Sequence, residues 1–305
     1  MSFAAASAAR RIVSDPIKVH RTIASIRAMR QSLSPSTSVG FVPTMGALHD
    51  GHLSLMKEAI LNNDVVVASV FVNPTQFNEE DDLAKYPRQL ERDAELMEEL
   101  GVDHIFAPTN GMMYSKNHVT FVEPTTFDEI PEGISRPGHF RGVATVVTKL
   151  FNIVQPTRAY FGQKDAAQCA LIRRIVEDLN MPVDVQIMDT LREPDGLAMS
   201  SRNANLTQEE RSASSIIYTA LATARNQYNI ALKSMQNGGT FISSKSLCET
   251  VERVLQTEPL LKEIYYVSVD DNETMRPISE VDSSGAVISL ACRVGSVRLL
   301  DNIVL

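Results

Sequence analysis

The sequence predicts an α/β fold with a parallel sheet, followed by a smaller C-terminal α+β domain. Short apolar runs alternate with helical patterns from about residue 39 to residue 190. The run at 64–73, DVVVASVFVN, is rich in β-branched residues, which is typical of a strand covered on both faces. Strands that alternate with helices form a parallel sheet with right-handed crossovers. After residue 190 helices come first and short β runs follow, so we predict domains at 1–190 and 191–305.

Each predicted element of the first domain has its own local pattern. In the segment 17–30, Ile17, Ile23 and Ile26 have roughly helical spacing. The charged segment 87–100 predicts a helix that ends at Gly101, because glycine readily adopts the left-handed conformation found at helix C-termini. The other predicted helices are 52–63, 142–154 and 166–180, and the predicted strands are 39–44, 64–73, 102–107, 159–162 and 183–191.

The predicted C-terminal domain begins with a loop and then a helix near Thr207. Thr207 and Glu210 have the spacing of a capping box, in which two side chains satisfy two main-chain N–H groups at a helix start. The helical pattern continues to about residue 234, and the NGG sequence at 237–239 predicts a turn. A further helix is predicted at 244–256, and β runs at 265–270, 286–294 and 296–302.

Composition and charge restrict the function. The net charge of −8 argues against an extended contact with nucleic acid, which needs a basic face. No apolar run approaches the roughly 18 residues of a membrane span. The cysteines Cys169, Cys248 and Cys292 are widely separated, so we expect a reducing, cytoplasmic compartment. The Ala/Ser/Arg-rich start, MSFAAASAARRIVSDP, also fits an organelle transit peptide, and both locations stay open.

Two histidines follow the predicted strand 39–44 at a strand-to-helix turn, in the sequence GFVPTMGALHDGH. His49 and His52 stand three residues apart. A helix N-terminus has unpaired N–H groups and a positive dipole end that attract phosphate, and two imidazoles can donate to phosphate oxygens. Gly46 and Gly51 remove side chains where a nucleotide would approach the main chain. The pattern therefore indicates a phosphate site, with helix capping or a core position as the alternative.

A second strand-to-helix turn has the sequence YFGQKD at 160–165. Gly162 lets a flat ring lie against the main chain, and Lys164 is a cation suited to phosphate. The sequence favours two roles for Asp165 equally, a helix cap or a contact with the ligand. The loop MSSRN at 199–203 offers hydroxyls and a guanidinium for the outer phosphates of a triphosphate, although such loops are often only solvated.

Neutral polar groups end the most apolar strand, in the sequence FVNPTQF. Asn73 and Gln76 can orient a hydroxylated substrate, and an Asn-Pro turn is the alternative. The loop RPGHFR at 136–141 is basic and carries Gly and Pro, so it predicts an anion-binding loop or a lid.

Together these motifs resemble the pantoate–β-alanine ligase family, the pantothenate synthetases. The resemblance runs in family order through PTMGALHDGH (43–52), FVNPTQF (71–77), YPR (86–88), RPGHFRGV (136–143), YFGQKDAAQ (160–168), LREPDGLAMSSRN (191–203) and VRLLDN (297–302). It implies a homodimer, a Rossmann-like N-terminal domain of the nucleotidylyltransferase type, and a C-terminal lid domain. It also implies an AMP-forming carbon–nitrogen ligase of the coenzyme A pathway. Such an enzyme activates pantoate with ATP and Mg²⁺ and joins it to β-alanine.

The resemblance also implies roles for individual residues. His49, His52 and Lys164 match the catalytic residues, with His52 in the place of an acid. The positions that match ATP contacts are Met45, Gly46, His49, His52, Gly162, Lys164, Asp165, Leu191, Met199, Ser200, Ser201 and Arg202. The positions that match pantoate or β-alanine contacts are Pro43, Met45, Asn73, Gln76, Arg136, His139 and Gln168. Asp93 falls where the family places an acid associated with Mg²⁺. Leu191 replaces an expected valine, but that position contacts adenine through its main chain.

Two other hypotheses compete with this ligase. A different nucleotidylyltransferase would adenylylate a phosphate group, for which more Arg and Lys would be expected than the neutral Gln76 and Gln168. A nucleotide-binding regulatory protein would need no catalysis, and the complete set of His49, His52, Lys164 and residues 200–202 argues against it. An aminoacyl-tRNA synthetase does not fit, because the chain is acidic and nothing in it resembles an anticodon-binding domain.

Overall fold

The computed structural model of the chain describes residues 16–78, 80–235 and 241–305. The predicted turn at 237–239 and almost all of the Ala/Ser/Arg-rich N-terminus lie outside these residues. Contacts divide the chain into two units. The first unit consists of the described residues of Met1–Pro124, with Gly138–Gly162 and Ile172–Met188, and the second consists of Thr125–Pro137, Gln163–Leu171 and the described residues of Asp189–Leu305. A domain boundary at residue 190 stays a prediction.

The first unit contains a six-stranded sheet. Its strands are β1 Lys18–His20, β2 Val39–Thr44, β3 Val65–Val70, β4 His104–Phe106, β5 Arg158–Gly162 and β6 Asp184–Met188. Its helices are α1 Ile23–Ser32, α2 Asp50–Asn62, α3 Glu80–Lys85, α4 Leu90–Leu100, α5 Asn110–Met113 and α7 His139–Val154. The strand order is β1-β4-β3-β2-β5-β6, and every pair is parallel. The parallel sheet predicted from the alternating pattern is confirmed.

The sheet is covered on both faces. On one face Val42 of β2 joins an apolar cluster with Met56 of α2 and Met97 of α4. On the other face Phe41 contacts Phe151 of α7, with ring centroids 6.4 Å apart in an edge-on arrangement. Strands β2 and β3 are buried along almost their whole length, and neither contains a charged residue.

The strand order creates a switch point between β2 and β5. The chain runs outward from β2 through β3 to β4 and returns to β5 on the other side of β2. In open α/β sheets, ligands bind outside the carboxyl ends of strands at such a point. The two ends that meet there are Thr44 of β2 and Gly162 of β5, the strand ends that precede the predicted phosphate motifs.

The helix suggested by the spacing at 17–30 is wrong over its first part. Residues Lys18–His20 form β1, which pairs in parallel with β4, and α1 begins only at Ile23. The side chain of Thr22 accepts a hydrogen bond from the main-chain N–H of Ser25 and so caps the helix. The remaining predictions are confirmed in type, including the end of α4 at Gly101, whose φ is +92°.

The second unit combines helices with an antiparallel sheet. Its helices are α6 Pro131–Ser135, α9 Gln208–Ala213, α10 Ile216–Met235 and α11 Ser244–Leu255, and its strands are β7 Ile242–Ser243, β8 Leu261–Asp270, β9 Glu280–Val281, β10 Val287–Val294 and β11 Val297–Val304. Helix α8, Ala166–Asp178, begins in this unit and ends in the first. The strands order as β11-β10-β8, and α10 and α11 share an apolar cluster with them. The capping box of Thr207 and Glu210 is confirmed.

Within the described residues, none of the helices combines the length and the apolar character that a membrane crossing requires.

The pairing of β1 with β4 predicts a sensitivity to acid. His20 Nε2 lies 3.2 Å from His104 Nδ1, and burial together with the neighbouring ring lowers the pKa of His104 to about 4 from 6.5. Because the folded pKa lies below the unfolded one, the stabilisation is complete above pH 6.5 and is lost as the pH falls to about 4. We expect His104→Gln to reduce the loss of Tm over this range by about a few degrees, measured by thermal unfolding. Equal losses in wild type and variant would contradict this account.

Candidate active site

The turn after β2 is held by a buried carboxylate. Gly46 has φ +82° and Ala47 has φ +52°, so two consecutive residues adopt the left-handed conformation. Asp93 of α4 accepts hydrogen bonds from the main-chain N–H groups of Ala47 (3.0 Å) and Leu48 (2.9 Å). The hydroxyl of Thr44 accepts from the N–H of Gly46 at 3.1 Å. Each main-chain donor from Gly46 to Leu48 therefore has an acceptor.

His49 and His52 cap helix α2 reciprocally. His49 Nδ1 accepts from the N–H of Gly51 at 3.2 Å, and His52 Nδ1 accepts from the N–H of His49 at a long 3.4 Å. The capping role that competed with phosphate binding in the sequence is therefore present. Since both Nδ1 atoms are acceptors, a neutral ring carries its proton on Nε2. The two rings lie 4.1 Å apart between centroids, so the two Nε2–H donors belong to one small patch.

A magnesium site at Asp93 does not fit this geometry. Asp93 is fully buried, and its two oxygens accept from the main chain at Ala47 and Leu48. Mg²⁺ needs near-octahedral oxygen ligands and usually keeps several waters, and a fully buried carboxylate that already bonds two main-chain N–H groups leaves no room for them. Among the residues that the structure describes, no group of three or more His, Cys, Asp or Glu side chains is arranged to hold a metal ion.

Gln76 is fixed from three directions within the first unit. Its side-chain Oε1 accepts from Asn73 Nδ2 at 2.9 Å, and its main-chain oxygen accepts from His139 Nδ1 at 2.9 Å. A Cβ on Gly142 would lie 2.7 Å from the nitrogen of Gln76, so α7 packs directly on this turn. Because Oε1 is an acceptor, the amide of Gln76 turns its Nε2–H₂ donors elsewhere.

Asn73 is a buried polar residue whose side chain bonds within the protein. Besides Gln76 it donates to the oxygen of Gly142 at 3.2 Å, and its own Oδ1 accepts from the hydroxyls of Thr75 and Tyr114, both at 2.9 Å. Asn73 therefore organises the turn after β3, as the Asn-Pro turn hypothesis expected. A direct contact between Asn73 and a ligand stays a prediction.

The residues after β5 are anchored by the C-terminal strand. Asn302 of β11 donates from Nδ2 to the main-chain oxygens of Gln163 (2.9 Å) and Lys164 (2.8 Å). Asp165 occupies the N-cap position of α8, with its main-chain oxygen accepting from Cys169, and its carboxylate lies 3.6 Å from the Lys164 ammonium. The predicted residue Gln168 lies in the first turn of the same helix.

The loop that carries Leu191 and Met199 is closed on itself. The N–H of Met199 donates to the oxygen of Leu191 at 3.1 Å. Ser200 caps a short 3₁₀ helix, Ser201–Asn205, by accepting from the N–H of Arg202. This loop is therefore a folded segment with its own hydrogen bonds.

A buried ion pair ties the same loop to β11. Arg192 makes two parallel hydrogen bonds to Asp301, 2.6 and 3.0 Å long, and its guanidinium lies over the ring of Tyr218. Burial raises the pKa of Asp301, and the hydrogen bonds and charge of Arg192 oppose that rise. A bidentate arginine pair fixes orientation as well as distance, so β11 sets the direction of the loop.

Cations gather in the second unit although the chain as a whole is acidic. Burial lowers the pKa of Arg136 to about 10, Glu132 opposes this, and Arg202 and Arg298 add to it. Glu132 lies 3.7 Å from Arg136, and burial raises its pKa while Lys164 is among the cations that oppose that rise. The positive charges of Arg202 and Arg298 that act on Arg136 make this a local positive region suited to an anion.

The structure thus assigns the predicted residues to two sets. In the first unit Pro43 lies in β2 and Gly162 ends β5, Met45, Gly46, His49 and His52 follow β2, Asn73 and Gln76 follow β3, and His139 begins α7. In the second unit the predicted residues are Arg136, Lys164, Asp165, Gln168, Leu191, Met199, Ser200, Ser201 and Arg202. The sequence did not reveal the roles of Asp301, Asn302, Arg192, Glu132 or Arg298. The only signal for Asp301, Asn302, Arg192 and Arg298 was membership of the LREPDGLAMSSRN and VRLLDN blocks.

A parallel sheet with polar motifs beyond β2 and β5 defines an α/β enzyme fold of the nucleotidylyltransferase type. The crystal structure of pantothenate synthetase from Thermus thermophilus is similar, with a TM-score of 0.83, 42% identity and coverage of 94% of this chain and 99% of that chain. Pantoate-beta-alanine ligase from Francisella tularensis, complexed with beta-gamma ATP and beta-alanine, has a TM-score of 0.77 and 35% identity, with 94% and 97% covered.

Sequence comparisons agree with the structural ones. The family model described as pantoate-beta-alanine ligase matches residues 18–304. Pantothenate synthetase of Chloroflexus aggregans is 47% identical over 286 residues, which are 94% of this chain and 99% of the relative. That of Fervidobacterium nodosum is 47% identical over 279 residues, with 92% and 95% covered. The chain therefore belongs to the pantoate–β-alanine ligase family, and it is a ligase of pantothenate biosynthesis.

The packing of α7 on the Gln76 turn gives a test of its positioning. A Cβ on Gly142 would lie 2.3 Å from the oxygen of Thr75, so Gly142→Ala must displace the main chain there. We expect kcat/KM of the ligase reaction to fall about tenfold to hundredfold, because displacements near 1 Å at reacting groups are that costly. Gly111→Ala is the matched control, since a Cβ there meets no atom within 4 Å. Equal activity of the two variants would show that the turn tolerates movement.

Proposed function

We propose that the chain joins pantoate to β-alanine in two steps through a pantoyl adenylate: the first step consumes ATP and releases pyrophosphate, and the second releases AMP. The observation that carries the proposal is the pair of capping histidines at the switch point, whose Nδ1 atoms accept from the main chain and whose neutral rings carry protons on Nε2. Support comes also from the Francisella tularensis relative, whose crystals contained beta-gamma ATP and beta-alanine.

The two-step route follows from the chemistry of a carboxylate. A carboxylate does not acylate an amine at a useful rate, because its leaving group would be an oxide. Attack of the pantoate carboxylate on the α-phosphorus forms an acyl phosphate bond and breaks the bond to pyrophosphate. The amine of β-alanine then attacks the acyl carbon, and AMP leaves. The protein must mainly align these groups and neutralise charge on the phosphates.

We assign the phosphates of ATP to two kinds of hydrogen-bond donor, neutral and positively charged. His49 and His52 supply neutral Nε2–H donors, and Lys164 and Arg202 supply positive charge to the phosphates. Met45, Gly46, Gly162, Asp165, Leu191, Met199, Ser200 and Ser201 complete the proposed ATP contacts. Gly162 suits the approach of a ring, because a Cβ there would meet no heavy atom within 4 Å.

Pantoate is assigned to residues with neutral side chains. The Nε2–H₂ group of Gln76 is the donor that we assign to the carboxylate or hydroxyls of pantoate, since Asn73 occupies its Oε1. Gln168 is the second proposed amide, with Pro43 and Met45 as apolar neighbours. Arg136 and His139 complete the set proposed for pantoate or β-alanine.

Three further parts of the proposal rest on the family resemblance. Mg²⁺ accompanies ATP, and the geometry of Asp93 does not supply a protein ligand for it. The enzyme is a homodimer with small-molecule substrates and without nucleic-acid or membrane partners. It works in the cytoplasm, with organelle targeting through the N-terminal residues as the alternative location.

The reaction is tested by product analysis. We expect AMP and pantothenate to form in equal amounts from ATP, Mg²⁺, pantoate and β-alanine. When β-alanine is left out, we expect labelled pyrophosphate to exchange into ATP, which reports the adenylate step. Exchange that requires β-alanine would contradict a separate adenylate, and absence of AMP from all four components would contradict the activity itself.

The role of His52 is tested by two variants that distinguish the function of Nδ1 in the helix cap from the proposed function of Nε2 as a phosphate donor. Asparagine places an acceptor near the position of Nδ1 and lacks Nε2, so His52→Asn retains the cap while His52→Ala loses both. We expect both variants to lose about 10²- to 10³-fold in pyrophosphate exchange, because removal of one preorganised donor costs that much. Only His52→Ala should lose stability, by about 1 kcal/mol in chemical unfolding. Full activity of His52→Asn would show that the histidine serves only as a cap.

A further inference from the structure

Asp93 connects a helix of the sheet's outer layer to the histidine turn. It lies in the first turn of α4 and is 46 residues from Ala47, yet its two oxygens accept from Ala47 and Leu48. It is fully buried, so the carboxylate has exchanged water for these main-chain donors. A carboxylate that accepts two main-chain hydrogen bonds holds the two peptide planes in fixed orientation.

The turn needs this acceptor for a geometrical reason. Gly46 and Ala47 both have positive φ, which turns the following N–H groups to the same side. Consecutive N–H groups in such a turn form a concave anion-binding nest. Here the nest holds the protein's own carboxylate. The N–H groups of Ala47 and Leu48 are therefore bonded to Asp93. The residue that follows them is His49, the N-cap of α2.

Gly46 is adapted to the same contact. A Cβ on Gly46 would lie 2.8 Å from Asp93 Oδ2 and 3.0 Å from Val70 Cγ1. The glycine therefore makes room for the carboxylate as well as adopting φ +82°. This contact is a reason for the glycine in addition to the sequence interpretation, in which the absent side chain makes room for a nucleotide and which stays a prediction.

We propose that Asp93 is a positioning residue that sets the direction of the His49–His52 pair, and that it is not a ligand of magnesium. The inference rests on the proposed function of the histidine pair. The chain path from the bound N–H of Leu48 to the N-cap His49 is one residue long, so a rotation of the Leu48 peptide moves the His49 ring directly. His52 follows, because its Nδ1 bonds to the N–H of His49.

The first experiment compares Asp93→Asn with wild type in pyrophosphate exchange at varied Mg²⁺. An asparagine retains one acceptor and places an NH₂ group against the other main-chain donor. We expect kcat to fall about hundredfold, as for a displacement of roughly 1 Å, with an unchanged half-saturating Mg²⁺ concentration. Glu95→Gln is the matched control, because this exposed acid lies on the same helix two residues away. We expect it to behave as wild type.

Two outcomes would overturn the proposal. An Asp93→Asn enzyme with wild-type kcat would show that the histidines do not need the carboxylate. A half-saturating Mg²⁺ concentration raised about tenfold or more, with the rate restored at high Mg²⁺, would identify Asp93 as a metal ligand.

A second variant keeps the test valid if Asp93→Asn does not fold. Gly46→Ala leaves the carboxylate in the chain but pushes a methyl group against it. We expect the same loss of kcat and the same unchanged Mg²⁺ dependence as for Asp93→Asn, because both variants disturb one contact. A wild-type kcat in Gly46→Ala would overturn the proposal. If Asp93→Asn folds, independent, additive losses in the double variant would also overturn it.

Amide hydrogen exchange provides a readout that does not depend on activity. Bonded to a buried acceptor, the N–H groups of Ala47 and Leu48 should be protected, and Asp93→Asn should speed their exchange about tenfold or more relative to the amides of α2. Unchanged exchange would overturn the positioning role. If wild type forms no AMP from ATP, Mg²⁺, pantoate and β-alanine but the amide hydrogen exchange result holds, the proposed function fails while the control of the turn by Asp93 stands.

Discussion

The main chain of β2 is bonded on both sides, to β3 and to β5, and the rest of the first unit depends on this constraint. A strand paired on both sides is buried, and its ladder ends abruptly at Thr44. The next N–H groups remain buried without a ladder partner, and each would cost about 1–3 kcal/mol if unsatisfied. Thr44 and Asp93 provide the acceptors. The direction of the chain into α2, and with it the histidine pair, follows from where these acceptors lie.

The second unit depends on a different constraint, which is that its buried charged groups must be paired. Arg192 and Asp301 are both largely removed from water, and a buried ion pair is stable only with good geometry and additional hydrogen bonds. Arg192 meets this condition by donating also to the oxygens of Gly196 and Asn302. Asn302 in turn holds the carbonyls of Gln163 and Lys164. A single strand, β11, therefore orders two of the predicted motifs, although both are distant from it in sequence.

Local patterns predicted most of the fold, and long-range contacts explain what they did not predict. The helices α2 and α4 and the strand β3 could be predicted because periodicity, β-branching and the glycine at 101 are properties of neighbouring residues. Strand β1 could not, since three residues become a strand only through pairing with β4, some 86 positions later. The contacts of Asp93 and Asn302 span 46 and 139 residues, and no spacing rule reports them. The histidine pair was evident in the sequence, where capping was one of two roles left open. Which main-chain N–H group each Nδ1 accepts from is known only from the structure.

The two kinds of donor proposed for ATP are physically complementary. Protonation of His49 or His52 would place a hydrogen on Nδ1, break a cap and put a positive charge at a helix N-terminus, where the dipole opposes it. The histidines therefore act best as neutral donors, directional but without charge. Positive charge has to come from other residues, and Lys164 and Arg202 lie in the second unit, where burial lowers the pKa of Arg136 and the charges of Arg202 and Arg298 lower it further. An anion bound beside these cations reduces the repulsion between their charges. The cations of the second unit therefore neutralise the charge of the ligand, which the neutral histidines cannot do.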